Sequence, residues 1–148
     1  MELDELYQAV ILDHSKRPRN QGPLTDSTGT GEGINPSCGD EIKVSVRLDD
    51  AGYLTDIRFD ARACAICTAS ASLMTTQVKS LPVAEIKNLM ARFLSFLQTG
   101  EGGAGLKNLQ AFSGVRRFPQ RLKCATLPWH ALAQALAGSK GGGDGGGV

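Results

Sequence analysis

The stretch EIKVSVRLDDAGYLTDIRFDA, residues 41–61, decides the fold. Polar residues alternate in it with the apolar residues Ile42, Val44, Val46, Leu48, Ile57 and Phe59. A period of two is typical of strands that bury one face, and DDAG at 49–52 supplies a turn between them. The stretch therefore predicts a β-hairpin.

Helical patterns lie on both sides of this hairpin. Before it, apolar residues at helical spacing predict an amphipathic helix over residues 3–16, which Pro18 ends near Arg17. After it, we expect helical segments at about 64–79, 83–97, 106–112 and 119–136, the last one kinked by Pro128. Between the first helix and Gly33 the chain is rich in Gly, Thr and Asp, which predicts a loop with room for one short edge strand. This order predicts an α+β fold, with helices packed on one face of a small antiparallel sheet.

Length and composition predict one domain. The chain has 148 residues, of which 41% are hydrophobic, enough for a single moderate core. We expect that domain to span residues 1–138 and the Gly-rich tail, residues 139–148, to be disordered.

Net charge and hydropathy indicate which kinds of partner and which cellular compartment to expect. Sixteen Lys and Arg against fifteen Asp and Glu give a net charge of +1, which argues against nucleic acid as a partner. No run approaches the ~18 apolar residues of a membrane span, and the acidic, amphipathic start differs from an export signal. We therefore expect a cytoplasmic protein with no membrane partner and with reduced cysteines.

Three cysteines and one aspartate predict a metal site. Cys38 and Asp40 flank Gly39 in the turn that enters the hairpin, where a glycine lets the backbone bend so that both side chains face one point. Cys64 follows the second strand and begins a helix, and Cys124 lies in the last helix. Three thiolates and a carboxylate suit tetrahedral zinc, or an iron centre of the same softness.

Two basic residues beside Cys124 are predicted to assist this site. The positive charges of Arg121 and Lys123 favour ionised sulfur and offset the surplus negative charge of the four ligands. Any one of these cysteines taken alone is more often a small buried hydrophobic residue. Cys64 and Cys67 have the spacing of a redox pair, but the preceding hairpin is not the βαβ context of that motif. We expect Cys67 to pack behind the site, with a spare thiol as the alternative.

The two histidines and a glycine series give weaker signals. His130 is expected to face away from the metal site, because it follows Cys124 by six helical positions. His14 is expected at a solvated, basic helix end rather than on a metal. The glycines at 29, 31 and 33 lack the Lys-Ser/Thr pair of a phosphate loop, so no nucleotide site is predicted.

Several ordered motifs carry a family resemblance over almost the whole chain. They are ILDHSKRPRN at 11–20, NPSCGD at 35–40, CAICTASASLMT at 64–75 and RRFPQRLKCATLPWH at 116–130. The chain resembles the U-type iron–sulfur cluster assembly proteins, the SufU/IscU/NifU N-terminal group. Within the group it is more similar to the SufU branch, because Lys123 stands where IscU scaffolds carry a histidine and residues 100–118 resemble the SufU insertion. Two departures are Ala63 in place of a usual glycine and Cys67 in place of a small residue such as serine.

The resemblance implies a fold, a ligand set and an activity. The fold implied is a three-stranded antiparallel sheet with helices, of the SufE/NifU-like kind. Cys38, Asp40, Cys64 and Cys124 match the family's zinc ligands. The activity implied is zinc-dependent sulfur transfer, in which persulfide sulfur is taken from a cysteine desulfurase and passed to downstream iron–sulfur assembly proteins.

The residues leave more than one role open. Cys38 is our preferred sulfur acceptor, because a loop thiolate leaves a metal at least cost to the fold. The alternative is a scaffold that builds and transfers a [2Fe–2S] cluster, or holds iron, on the same residues. A structural zinc module is a third possibility. Whether the chain is an enzyme stays open at this point.

Overall fold

A computed structural model describes residues 3–139 of the chain. Its elements are α1 (Leu3–Lys16), β1 (Gly29–Asn35), β2 (Asp40–Leu48), β3 (Leu54–Arg62), α2 (Ala65–Val78), α3 (Val83–Thr99), a 3₁₀ helix (Lys107–Arg117) and α4 (Pro119–Ala137). Apart from Ser139, the tail predicted to be disordered lies outside the described residues. Between residues 3 and 139, no helix has the length and hydropathy that crossing a membrane requires.

The sheet has three antiparallel strands in the order β1-β2-β3. Val44 on the central strand pairs with Gly31 on one side and Phe59 on the other. Along β2 the buried residues alternate with more accessible ones, as predicted for a strand with one covered face. The predicted α+β fold, with helices packed on a small antiparallel sheet, is confirmed.

Strand β1 occupies seven residues that the sequence suggested were mainly loop. Its alternate glycines face α4, and a Cβ atom at Gly31 would overlap the carbonyl oxygen of Ala131. A Cβ at Gly29 would overlap the carbonyl oxygen of Ala135 in the same way. Helix α4 therefore lies so close to β1 that no side chain fits at Gly29 or Gly31, and these glycines form a packing surface against the helix.

Helix α2 runs through the centre of the molecule. It is rich in small residues, and Ser70 on it donates a hydrogen bond of 2.6 Å to the carbonyl oxygen of Ala125 in α4. The same hydroxyl oxygen accepts a 3.2 Å hydrogen bond from Nε1 of Trp129, a completely buried side chain. These bonds satisfy the buried polar groups between the two helices and fix their relative position.

Proline 128 lies inside α4, as the sequence predicted. Because proline has no N–H, the carbonyl group of Cys124, four residues earlier, receives no helical hydrogen bond from it. The backbone of α4 is therefore interrupted at the residue that carries one of the predicted metal ligands.

The prediction of a solvated His14 was wrong. His14 is only 7% exposed, and its Nδ1 lies 2.7 Å from Oγ of Ser72 on α2. Oγ of Ser72 also accepts a hydrogen bond from the backbone N–H of Arg19. Burial, and then the charge of Arg19, lower the pKa of His14 below its usual value. The end of α1 is thus anchored to α2, a contact that no local pattern in the sequence reveals.

Candidate metal centre

The turn between β1 and β2 presents the first two predicted ligands. Asn35 and Asp40 form the last pair of the β1–β2 ladder, and the turn closes between them. The N–H of Cys38 donates to the carbonyl oxygen of Asn35 at 3.2 Å. Gly39 has a φ of 72°, a conformation that favours glycine, and this bend directs the chain from Cys38 into Asp40. Cys38 is half-buried, whereas Asp40 is completely buried.

Cys64 lies at the N-terminal end of α2 and is tied to Asp40. Its backbone N–H donates to Oδ1 of Asp40 at 2.8 Å, and its Sγ lies 3.8 Å from Oδ2. As the N-cap residue, Cys64 also accepts a hydrogen bond at its sulfur from the N–H of Cys67, at 3.5 Å. The sulfur of Cys64 therefore lies at the N-terminal end of α2, beside the carboxylate of Asp40.

Cys124 is the buried member of the group. Its thiol is fully buried and lies 3.4 Å from the carbonyl oxygen of Gln120, one helical turn earlier in α4. Burial raises the pKa of the Cys124 thiol well above its usual value, and hydrogen bonds with Asp40, Cys38 and Cys64 raise it further. Without a cation nearby the thiol of Cys124 keeps its proton, so a metal ion that binds this sulfur has to displace that proton.

The ligand atoms of Cys38, Asp40 and Cys124 all lie within 4.8 Å of one another. Cys64 is not within that limit of all three, but it contacts Asp40 directly. Two sulfurs that are each 2.3 Å from a tetrahedral ion are separated by roughly 3.8 Å, so the spacing of the Cys38, Asp40 and Cys124 donors is of the order that a metal ion requires. Soft thiolates with one carboxylate fit zinc or iron rather than magnesium or calcium.

Comparison with known proteins identifies the family to which this fold belongs. A family model described as the NifU-like N-terminal domain matches residues 6–141. The chain belongs to this family. The resemblance predicted from the sequence motifs, and the three-stranded sheet that it implied, are therefore confirmed.

Relatives of this NifU-like domain carry two kinds of name. The zinc-dependent sulfurtransferase SufU of Bacillus subtilis is 39% identical over 95% of this chain and 95% of its own length. The iron–sulfur cluster assembly scaffold protein IscU of Streptococcus pyogenes is 40% identical over 91% of this chain and 85% of its own length. A crystal structure of a putative SUF-system scaffold protein from Fervidobacterium islandicum is 30% identical, with a TM-score of 0.80 over 91% of this chain and 99% of that one.

A solvent-accessible cavity of about 620 Å³ opens onto the metal centre of this NifU-like domain. Its walls are formed by Cys38, Cys64, Phe118, Pro119, Gln120 and Arg121. Arg121 thus lines the same cavity as the two more accessible thiols. Lys123 is exposed and lies outside this lining, and His130 is also exposed.

Cys67 lies behind the metal centre. It is completely buried, and burial raises the pKa of its thiol above the usual range, with a further contribution from the negative charges of Asp40, Cys64 and Cys38. A thiol held in its neutral form is a poor nucleophile. Its complete burial fits the packing role expected for Cys67 from the sequence.

Asn35 is the residue at this centre whose contribution was missed from the sequence. It is 7% exposed, and its Nδ2 lies 3.9 Å from Sγ of Cys124. Its position continues the buried face of β1 that begins at Gly29, so a period of two in the sequence carried the signal. It was overlooked because β1 itself was interpreted mainly as loop.

Proposed function

We propose that this protein acts in iron–sulfur cluster assembly as a zinc-dependent sulfur acceptor, with a cysteine desulfurase as the donor. The observation that carries the proposal is the unequal placement of the three thiols. Cys38 lies half-buried on a turn, whereas Cys64 caps a helix and Cys124 is buried inside one. Only the turn residue can leave a metal ion without disturbing a helix. The name of the Bacillus subtilis relative supports the same activity.

The four proposed zinc ligands are Cys38, Asp40, Cys64 and Cys124. Bound zinc keeps the thiolates deprotonated and lowers their nucleophilicity until one of them is released. Asp40 is a harder donor than sulfur and is shared with the N–H of Cys64, which keeps the ligand set exchangeable.

In the proposed transfer, the thiolate of Cys38 attacks the outer sulfur of the desulfurase persulfide. A bond forms between that sulfur and Sγ of Cys38, and the bond to the desulfurase cysteine breaks. The desulfurase cysteine leaves as a thiolate, and the transferred sulfur remains on Cys38 as a persulfide, so no outside oxidant or reductant is needed. Downstream iron–sulfur assembly proteins are the proposed recipients of this sulfur.

Arg121 is the proposed partner of the reacting sulfur. It shares the cavity wall with Cys38 and Cys64, so its guanidinium can face the released thiolate or the persulfide. Lys123, which is exposed, contributes positive charge to the same end of α4 across solvent, where screening weakens its effect.

A [2Fe–2S] scaffold is the second candidate. It is favoured by the scaffold names of the Streptococcus pyogenes relative and of the Fervidobacterium structure. The same thiolates serve iron, so the ligands themselves do not separate the two functions.

The deciding experiment measures sulfur and metal on the same sample. The protein is incubated with a cysteine desulfurase and cysteine, and mass spectrometry locates the added sulfur atom while metal analysis identifies the bound ion. We expect zinc together with a persulfide on Cys38, loss of this persulfide in Cys38→Ser, and its retention in Cys67→Ser. A stable cluster delivered intact to an apo-protein, with no persulfide, would instead establish the scaffold.

The same variant distinguishes a purely structural metal site. If Cys38→Ser loses stability but still activates the desulfurase, the metal serves only the fold and the transfer proposal is wrong.

We place the protein in the cytoplasm, because all four cysteines are free thiols, a state that a reducing compartment maintains.

A further inference from the structure

The side chain of Asn35 is buried beside the most deeply placed sulfur of the metal centre. It lies at the end of β1 with its amide nitrogen 3.9 Å from Sγ of Cys124, within hydrogen-bonding range for sulfur. Its backbone oxygen accepts the N–H of Cys38, and its partner in the ladder is Asp40. One residue therefore contacts or pairs with three of the four proposed ligands.

We propose that Asn35 is a positioning residue that donates a hydrogen bond to the Cys124 thiolate and so keeps this sulfur on the metal. The inference rests on the proposed metal-binding function. Asn35 is not itself proposed as a metal ligand, because a side-chain amide binds a thiophilic metal ion weakly. Its action is exerted through Cys124 and, by its backbone, through the turn that holds Cys38.

The surroundings of Cys124 explain why such a donor is needed. As a thiol, Cys124 can donate its proton to the carbonyl oxygen of Gln120 at 3.4 Å. As a metal ligand it has no proton to give, and two electron-rich atoms then face each other inside a buried site. The amide N–H of Asn35 supplies a partial positive charge on another side of the sulfur and offsets this repulsion.

A hydrogen bond to a metal-bound thiolate also changes its reactivity. It withdraws electron density from the sulfur, which tunes the metal–sulfur bond and makes the sulfur a weaker nucleophile. Cys38 lies on the turn, and its hydrogen bond with Asn35 joins backbone atoms. The side chain of Asn35 therefore helps to make Cys124 the retained thiolate and Cys38 the reactive one.

Two substitutions separate this side-chain role from the backbone role. Asn35→Ala and Asn35→Leu both keep the carbonyl group that holds Cys38 while removing the amide donor, and leucine also keeps most of the side-chain volume. Asn20→Ala is the matched control, because Asn20 makes side-chain hydrogen bonds to Thr75 and Arg58 away from the metal centre.

The readouts are the thiolate-to-cobalt charge-transfer bands of the Co²⁺-loaded protein and the rate of zinc release to a chelator. We expect shifted bands and roughly tenfold faster zinc release in both Asn35 variants, by analogy with other outer contacts of metal ligands, and wild-type values in Asn20→Ala. Wild-type bands and release rates in both Asn35 variants would overturn the inference while leaving the proposed function standing. If the wild-type protein itself gives no thiolate–cobalt bands, the proposed metal function is wrong and this inference falls with it.

Discussion

Replacing Gly31 with alanine tests the close contact between α4 and β1 and its importance for the metal centre. An added Cβ would overlap the carbonyl oxygen of Ala131 and would lie 2.8 Å from both the backbone nitrogen of Ala135 and Cβ of Gln134. Because two of these three atoms belong to the helix backbone, no rotamer change relieves the overlap and α4 has to move. Overpacking of this kind costs about 1–3 kcal/mol, and a rigid neighbour places Gly31→Ala near the upper end.

A loss of about 3 kcal/mol corresponds to a fall in Tm of roughly 6–12 °C for a chain of this length. The assay is thermal unfolding of the metal-free protein followed by circular dichroism. Gly114→Ala is the control, since a Cβ at Gly114 meets no atom within 4 Å, and we expect its stability to stay within about 0.5 kcal/mol of wild type. Movement of α4 also carries Cys124 away from the turn, so zinc release should accelerate in Gly31→Ala alone. Equal Tm values for the two variants would refute the reasoning.

Three further predictions concern single side chains. Asp40→Ala should lower the free energy of unfolding, measured in urea, by about 1–3 kcal/mol, since the N–H of Cys64 loses its acceptor. Arg121→Ala should reduce the rate of persulfide formation about tenfold, as for loss of one charge-assisted contact, with a smaller loss in Lys123→Ala; equal losses would contradict the placement of Arg121 in the cavity. Burial lowers the pKa of His14 in the folded protein, so below pH 6.5 the unfolded chain takes up a proton at this residue more readily than the folded one. The urea midpoint of unfolding should therefore fall as the pH is lowered below 6.5, and it should fall less in His14→Gln.

The hairpin and the helices follow from sequence periodicity because each buries one face along a regular repeat. The alternation around Val44 and Phe59 specifies β2 and β3, and the proline at 119 begins α4 as a first-turn proline should. The segment predicted at 106–112 extends as a 3₁₀ helix to Arg117. Its continuation depends on packing against α1, α3 and α4, which local propensity does not contain.

Two misjudged positions share a physical cause. Gly31 has the composition of a loop residue, but it lies in a strand where α4 leaves no room for a side chain. His14 has the surroundings of a surface residue in the sequence, but it contacts Ser72, which lies 58 positions further along the chain. Both are set by long-range contacts. The cysteines and Asp40 were easier to select as candidate ligands, because the chain has only four cysteines and because thiolates and carboxylates are common zinc ligands. The period of two in β1 indicates that Asn35 is buried, and its distance from Cys124 then shows that it lies at the metal centre.

The spacing of the proposed ligands along the chain affects the unfolded state as well as the chemistry. A metal ion bound to them closes loops of about 26 residues, from Cys38 to Cys64, and about 60 residues, from Cys64 to Cys124. By the loop-entropy relation for cross-links, such loops are worth about 3.5 and 4 kcal/mol. If Cys38 leaves the metal during the proposed sulfur transfer, Cys64 and Cys124 would keep the longer loop closed and Asp40 would keep the shorter one closed. A bound metal ion would therefore continue to cross-link the domain while sulfur is collected.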